Sequence, residues 1–288
     1  MSDLLVESSL VERAKKNEPL GLLFWICLAW LAFNVVGAVF ANVLPIQDPQ
    51  ASPDYLINAG PSLHHLFGTD DLGRDIFSRV AYGSRVSIAV GGGAMLIGFG
   101  VGMPLGMLAA YRRGRFDSIL TAVMYVLLAF PAIVAVIAVL SFWTPRTMLK
   151  IIIVIGIASI PLVYRVVRTA TTAISTKDYV IAAKIQGATD RRILVKELLP
   201  NIAPIAVSFL LIGFASVVIL EGALAFLGLS VNPPTPSWGN MINEARTVLA
   251  QNPWLVFFPS LALCLFLLSL NFIGDRLRSH FDVTEVKL

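Results

Sequence analysis

Six apolar windows, almost free of charge, recur along this chain at about 20–44, 86–110, 118–142, 147–165, 203–228 and 253–274. Each approaches or exceeds the roughly 20 residues that an α-helix needs to cross about 30 Å of hydrocarbon. The fourth window is the shortest, and Pro161 falls near its end. Only 14% of the residues are charged and the mean hydropathy is +0.78, whereas a soluble domain carries about 25% charged residues. The reading is an all-α, polytopic membrane protein with six transmembrane helices. The first window is too long for the apolar core of a signal peptide and no cleavage site follows it, so it reads as a retained helix.

The net charge of +4 reads as topology and not as a surface for nucleic acid. With the N-terminus in the cytoplasm, the inner segments hold Arg13, Lys15, Lys16, Arg112, Arg113, Arg115, seven basic residues between 165 and 200, and Arg276, Arg278 and Lys287. That places 16 of the 22 Lys/Arg inside, the bias that the positive-inside rule requires. Both termini are expected in the cytoplasm, in a prokaryotic plasma membrane.

These assignments divide the chain into a cytoplasmic tail (1–19), a first span (20–44), an outside loop (45–85) and a five-span core (86–275). The core carries a cytoplasmic loop at 169–202 and a second outside loop at 229–252, and 276–288 is a cytoplasmic tail. The first outside loop is rich in proline and aspartate (Pro45, Asp48, Pro49, Pro53, Asp54). It closes with Leu72, Ile76, Phe77 and Val80 at helical spacing against Asp75, Arg79 and Arg85. That pattern predicts an amphipathic helix lying along the outer interface, capped by Thr69 or Asp70.

Several chemistries have no residues to carry them. Cys27 and Cys264 stand alone in spans one and six and read as small apolar filler. No phosphate-binding G-x-x-x-x-G-K-[ST] loop is present, and neither H-E-x-x-H nor G-x-S-x-G occurs. His64 and His65 are adjacent on a loop, a weak metal signal that reads as a solvated segment. Glu221 is the clear intramembrane charge, too little for a proton- or sodium-coupled carrier. The chain looks like a pore-forming bundle whose energy comes from a partner.

The stretch "DYVIAAKIQGATDRRILVKELLPN" (178–201) separates two apolar runs on the basic side. Asp178 is placed to cap a first helical segment, Gly187 breaks it, and a second segment ends by Pro200. Ala182, Ala183 and Gly187 leave a low ridge flanked by Lys184, Arg191 and Arg192. Small side chains permit close approach, so a soluble subunit can seat on this ridge.

This loop resembles the "EAA" loop of permease subunits in ATP-binding-cassette importers: E-A-A, three residues, Gly, nine residues, then I-x-L-P. Ala182, Ala183, Gly187, Leu199 and Pro200 fit the spacing, while Ile181 replaces the leading Glu and Glu197 the Ile. "FGTDDLGRDIFSRVAYGSRVS" (67–87) and "LEGALAFLGLSVNPPTPSWGNMINEA" (220–245) are similar to signatures of the dipeptide, oligopeptide and nickel branch, in its second, "C-type" subunit. The resemblance covers nearly the whole chain outside 1–19. It implies a type I importer permease fold, half of a pore shared with a second permease, two cytoplasmic ATPase subunits or domains, and an outside solute-binding protein. ATP and Mg would sit on the ATPase partners, and this chain would bind no cofactor, hold no metal and carry no catalytic residue. Di- or oligopeptides are the expected cargo, with nickel or a glutathione-like solute as alternatives, and a stand-alone channel or scaffold as the reading from another class.

Further candidates follow at the outer face. Glu221 either snorkels to the headgroups, or lines the outer pore mouth or pairs with an arginine such as Arg74 or Arg85 to hold the outer gate. Asp70, Asp71, Arg74 and Asp75 either begin a capped interfacial helix or form an outer latch or binding-protein seat. The loop bearing Pro233, Pro234, Pro236 and Trp238 reads as a binding-protein contact, with Trp238 also suited to anchoring at the membrane interface.

Overall fold

The structure, a computed structural model, describes residues 21–43, 46–52 and 56–285, with side chains to residue 279. The expected 1–19 tail, Pro45, Pro53, Asp54 and Lys287 lie outside the described residues. Among them the secondary structure is helical, with one isolated bridge between Thr69 and Asp75. Helices satisfy their backbone polar groups internally, which a lipid environment demands.

Helix α1 (Gly21–Phe40) leads into α2 (Ile76–Arg112), a single rod of 37 residues. Next come α3 (Gly114–Ala129) and α4 (Ala132–Phe142), then α5 (Met148–Ile174). Two short segments, α6 (Asp178–Ile185) and α7 (Asp190–Arg192), precede a π-helical stretch at Ile193–Leu198. Helix α8 (Leu199–Phe226) continues from it, followed by α9 (Trp238–Ala245) and α10 (Trp254–Glu285). Five segments are long and apolar enough to cross a membrane, and α3 with α4 supplies a sixth if that bent pair is one span.

The most extensive helix interface joins α2 to α5. Gly98, Gly102 and Gly106 recur four residues apart along that seam. A Cβ at Gly102 would lie 2.8 Å from the Ile160 carbonyl oxygen, and one at Gly106 2.8 Å from that of Tyr164. Only glycine lets the two backbones approach this closely, as small residues do between membrane helices. Val86, Val90, Met95 and Phe99 of α2 join Ile151, Ile155 and Val163 of α5 and Ile202 and Ala206 of α8 in the main core. A second cluster sets Trp238 against Ala215, Val218 and Phe266. Much of the apolar surface of α1, α3 and α4 stays exposed, including Leu22, Trp25, Phe33, Ile119, Val126 and Phe130, as it must where hydrocarbon is the solvent.

Two expectations are revised. The amphipathic stretch after residue 72 is not a separate interfacial helix: from Ile76 it is the first turns of α2, which runs without a break to Arg112. Val80 packs inward beside the Trp238 cluster, and Ile76 is buried with Met241 and Leu255. Ile76, Phe77 and Val80 thus pack on protein, while Leu72 stays exposed. Span three is bent by 77° because Pro131 starts α4 and holds Phe130 extended, at ψ 129.

Candidate functional site

Two polar constructions occupy opposite ends of the bundle. At the basic end, the chain leaves α5 and enters α6 with Lys177, not Asp178, at the N-cap position. Asp178 is instead the first helical residue, where its charge complements the helix dipole. Gly187 has φ +81 and is exposed, with open space where a Cβ would stand. The Thr189 hydroxyl accepts from the Arg192 amide at 3.4 Å and starts the second segment. That segment does not end by Pro200. The π-helical stretch carries it into α8, and Pro200 sits in the first turn, where its missing N–H costs nothing.

Val180, Ile193 and Leu198 are buried in the main core and seat the element on the bundle. Ala182, Lys184, Gly187, Arg191, Arg192 and Pro200 are exposed, and Ala183 is half-buried. The ridge expected from the sequence therefore stands clear of the bundle, with its positive flank beside it. Nearby, Arg168 of α5 grips Asp117 of α3 through two hydrogen bonds of 2.6 and 2.7 Å.

At the opposite end, Asp75 caps α2, accepting from the Ser78 amide at 2.7 Å, and its other oxygen meets His65 Nδ1 at 2.9 Å. The cap is thus neither Thr69 nor Asp70. Thr69 is fully buried and its hydroxyl donates to the Leu56 carbonyl. The Asp70 carboxylate closes its own loop by accepting from the amides of Leu72 and Arg74, each at 2.9 Å. Its second oxygen takes the Arg74 Nε at 2.7 Å.

Sequence reasoning missed the residues that complete this construction. Arg79 is 1% exposed, and its Nη2 donates to Glu244 of α9 at 2.8 Å. Arg74 Nη2 reaches the same Glu244 oxygen at 3.3 Å, and Arg79 Nε lies 3.5 Å from Asp70. Two guanidinium groups and two carboxylates therefore bind the start of α2 to α9. Glu244, the one acidic residue of the 229–252 loop, was the available signal, but 165 residues separate Arg79 from Glu244. Asp71 is exposed and takes no part in the ion pairs, although it lines a cavity of about 20 Å³ beside them.

Glu221 is 1% exposed, so it does not snorkel to headgroups. It accepts from the Ser230 hydroxyl at 2.6 Å and the Ser87 hydroxyl at 3.3 Å, and Ser237 also bonds to it. Arg74 is engaged as above, and Arg85 donates to the Ala38 carbonyl at the end of α1. The expected Glu221–arginine pair is not formed. Trp238 is corrected as well: it is fully buried, donates from Nε1 to the Val80 carbonyl at 3.0 Å, and packs edge-on to Phe266. It offers no surface to the membrane interface or to a docking protein. Pro236 is buried too, while Pro233 and Pro234 are exposed.

The class of the protein follows from setting this bundle of membrane-length helices, with its small exposed element at the basic end, beside known proteins. The chain belongs to the family of binding-protein-dependent transport system inner membrane components, whose family model matches residues 102–283; this is the permease family of ATP-binding-cassette importers. It is 38% identical over 247 residues to the dipeptide transport system permease protein DppC of Alkalihalophilus pseudofirmus, covering 85% of this chain and 80% of that one. It is 39% identical over 246 residues to the glutathione transport system permease protein GsiD of Pectobacterium atrosepticum, covering 85% and 81%. Among solved structures, a chain of the MetNI methionine ABC transporter in an inward-facing conformation shares the fold. Its TM-score is 0.60 at 20% identity, covering 73% of this chain and 97% of that chain.

Proposed function

We propose that this chain forms half of the translocation pore of an importer for di- and oligopeptides, paired with a second permease, with both termini in the cytoplasm. The carrying observation is the exposed Ala182–Gly187 ridge at the basic end, in a chain 38% identical to a dipeptide permease. A cytoplasmic ATPase grips the ridge, with Lys184, Arg191 and Arg192 around it, and ATP with its Mg stays on that partner. The chain itself binds no cofactor and catalyses nothing. Outside, a solute-binding protein delivers the peptide over the face that carries Pro233 and Pro234. There Asp70, Arg74 and Asp75 act with Arg79 and Glu244 as a latch, and Glu221 fixes the loop at the pore mouth. Glutathione is the second reading, favoured by the 39% identity to a glutathione permease.

The test is purification of the tagged chain in mild detergent with mass spectrometry of its companions. An ATPase and a second permease are expected with the wild type, and the ATPase is expected to be lost from Gly187→Trp. A chain that purifies alone sinks the importer reading in favour of a channel or scaffold. Competition between radiolabelled dialanine and unlabelled glutathione for uptake then separates the two cargo readings.

A further inference from the structure

The turn between α2 and α3 touches the coupling element at both of its ends. The Tyr111 hydroxyl, in the last turn of α2, donates to Asp190 Oδ1 at 2.9 Å. Two residues later, Arg113 Nη2 donates to Ser175 Oγ at 3.4 Å. Ser175 directly follows α5, and Asp190 opens the second segment, so the two bonds bracket α6 and Gly187 between them. The Tyr111 ring also packs against the main core. Its hydroxyl is thus held by the body of the bundle, while Asp190 belongs to the part that protrudes.

At its other end α2 begins with the Asp75 cap and Arg79. A helix of 37 residues is about 55 Å long, enough to connect the coupling element to the outer latch in one piece. The coupling element has two covalent routes into the bundle: one runs back into α5, and the other runs through the π-helical stretch into α8. A π-helical stretch is a point of irregular pitch, so that route includes a place where a push can be absorbed by rewinding. Along α2, movement at Tyr111 and movement at Arg79 belong to one continuous helix, interrupted only by the ring of Pro104.

We infer that the Tyr111–Asp190 hydrogen bond clasps α2 to the coupling element, so that α2 carries the ATPase-driven movement to the Asp70–Arg74–Arg79–Glu244 latch. Tyr111 is a positioning residue: it touches neither cargo nor nucleotide. The inference rests on the docking role proposed for 178–201, and it adds a direct link to α2 to the two covalent routes. A hydrogen bond that merely steadied the element would alter ATPase attachment and thermal stability. A clasp alters the cargo moved for each ATP consumed.

The experiment uses the assembled importer in liposomes, with the binding protein present, and measures ATP hydrolysis together with uptake of radiolabelled dialanine. Tyr111→Phe removes one hydroxyl and keeps the ring packing. Uptake per ATP is expected to fall at least about five-fold, the lower end for coupled sites, while ATPase co-purification and hydrolysis hold. Asp190→Ala should lower the same ratio, and adding Tyr111→Phe to it should lower the ratio no further, since one bond cannot be lost twice. Asp190→Asn keeps an acceptor for the hydroxyl and should restore most of the ratio. An unchanged ratio in Tyr111→Phe overturns the clasp, as does a fall in ATPase attachment that accounts for the whole loss. Absence of ATP-driven uptake by the wild type overturns the importer reading for this cargo, and the clasp with it.

Discussion

At one end of the bundle Arg74 and Arg79 are buried with Asp70 against Glu244, whereas at the basic end Lys184, Arg191 and Arg192 stand exposed. Both regions are polar and both lie at a bilayer face, yet their physics differs. A buried guanidinium must find its acceptors within the chain, because a charge left without a partner away from water costs several kcal/mol. An exposed one is already satisfied by water and remains available to a partner. The Arg79 end thus uses its charges for internal closure, and the basic end presents its own to solvent. The same contrast applies to small residues. Gly102 and Gly106 are consumed by contact with α5, while Gly187 has only open space beside it.

That comparison predicts opposite responses to substitution. The largest effect on uptake is expected for Gly187→Trp, which places an indole on the docking ridge. Uptake should fall to background while membrane insertion persists, with a stability loss of about 1–2 kcal/mol from the left-handed backbone. Normal uptake would erase the distinction between the two ends. For stability the largest effect lies at the opposite end: Arg79→Ala leaves Glu244 only the longer Arg74 contact and should cost about 1.5–3 kcal/mol, read as a lower melting temperature of the detergent-solubilised complex.

Glu221→Gln sharpens the comparison at intermediate size. The amide oxygen can still accept from Ser230, and Ser87 can turn to accept from the amide nitrogen, so a loss of about 1 kcal/mol is expected. If this variant is as stable and as active as the wild type, the carboxylate has no role of its own. The smallest effect belongs to Pro233→Ala, on an exposed loop tip. Stability should stay within about 0.5 kcal/mol, while the binding-protein concentration for half-maximal uptake rises a few-fold. No change in that concentration removes the loop from the docking surface.

Local pattern made much of this legible. The apolar windows locate the long helices because one stretch of about 20 residues is enough to report on hydrocarbon. The Ala182–Ala183–Gly187 ridge was readable for the same reason: its elements are neighbours in the chain, and exposure leaves them free of distant contacts. Boundaries fared worse where packing overrode local signals. Asp75 caps α2 rather than Thr69 or Asp70 because those two are drawn into the loop by Leu56, Leu72 and Arg74. Pro200 does not stop its segment because the helix restarts around it.

Read alone, the chain was enough to give a helical membrane bundle, its family and an exposed Ala182–Gly187 ridge. Only the tertiary structure decided where the buried polar groups find their partners. Arg79 meets Glu244 across 165 residues, Glu221 meets Ser87 across 134, and Trp238 meets Val80 across 158. Hydrophobic length and helical spacing are properties of a short segment and survive being read one segment at a time. The partner of a buried charge depends on which helix is brought opposite it. The glycines at 98, 102 and 106 are visible in the chain, but that α5 is the helix that packs on them is a property of no single segment.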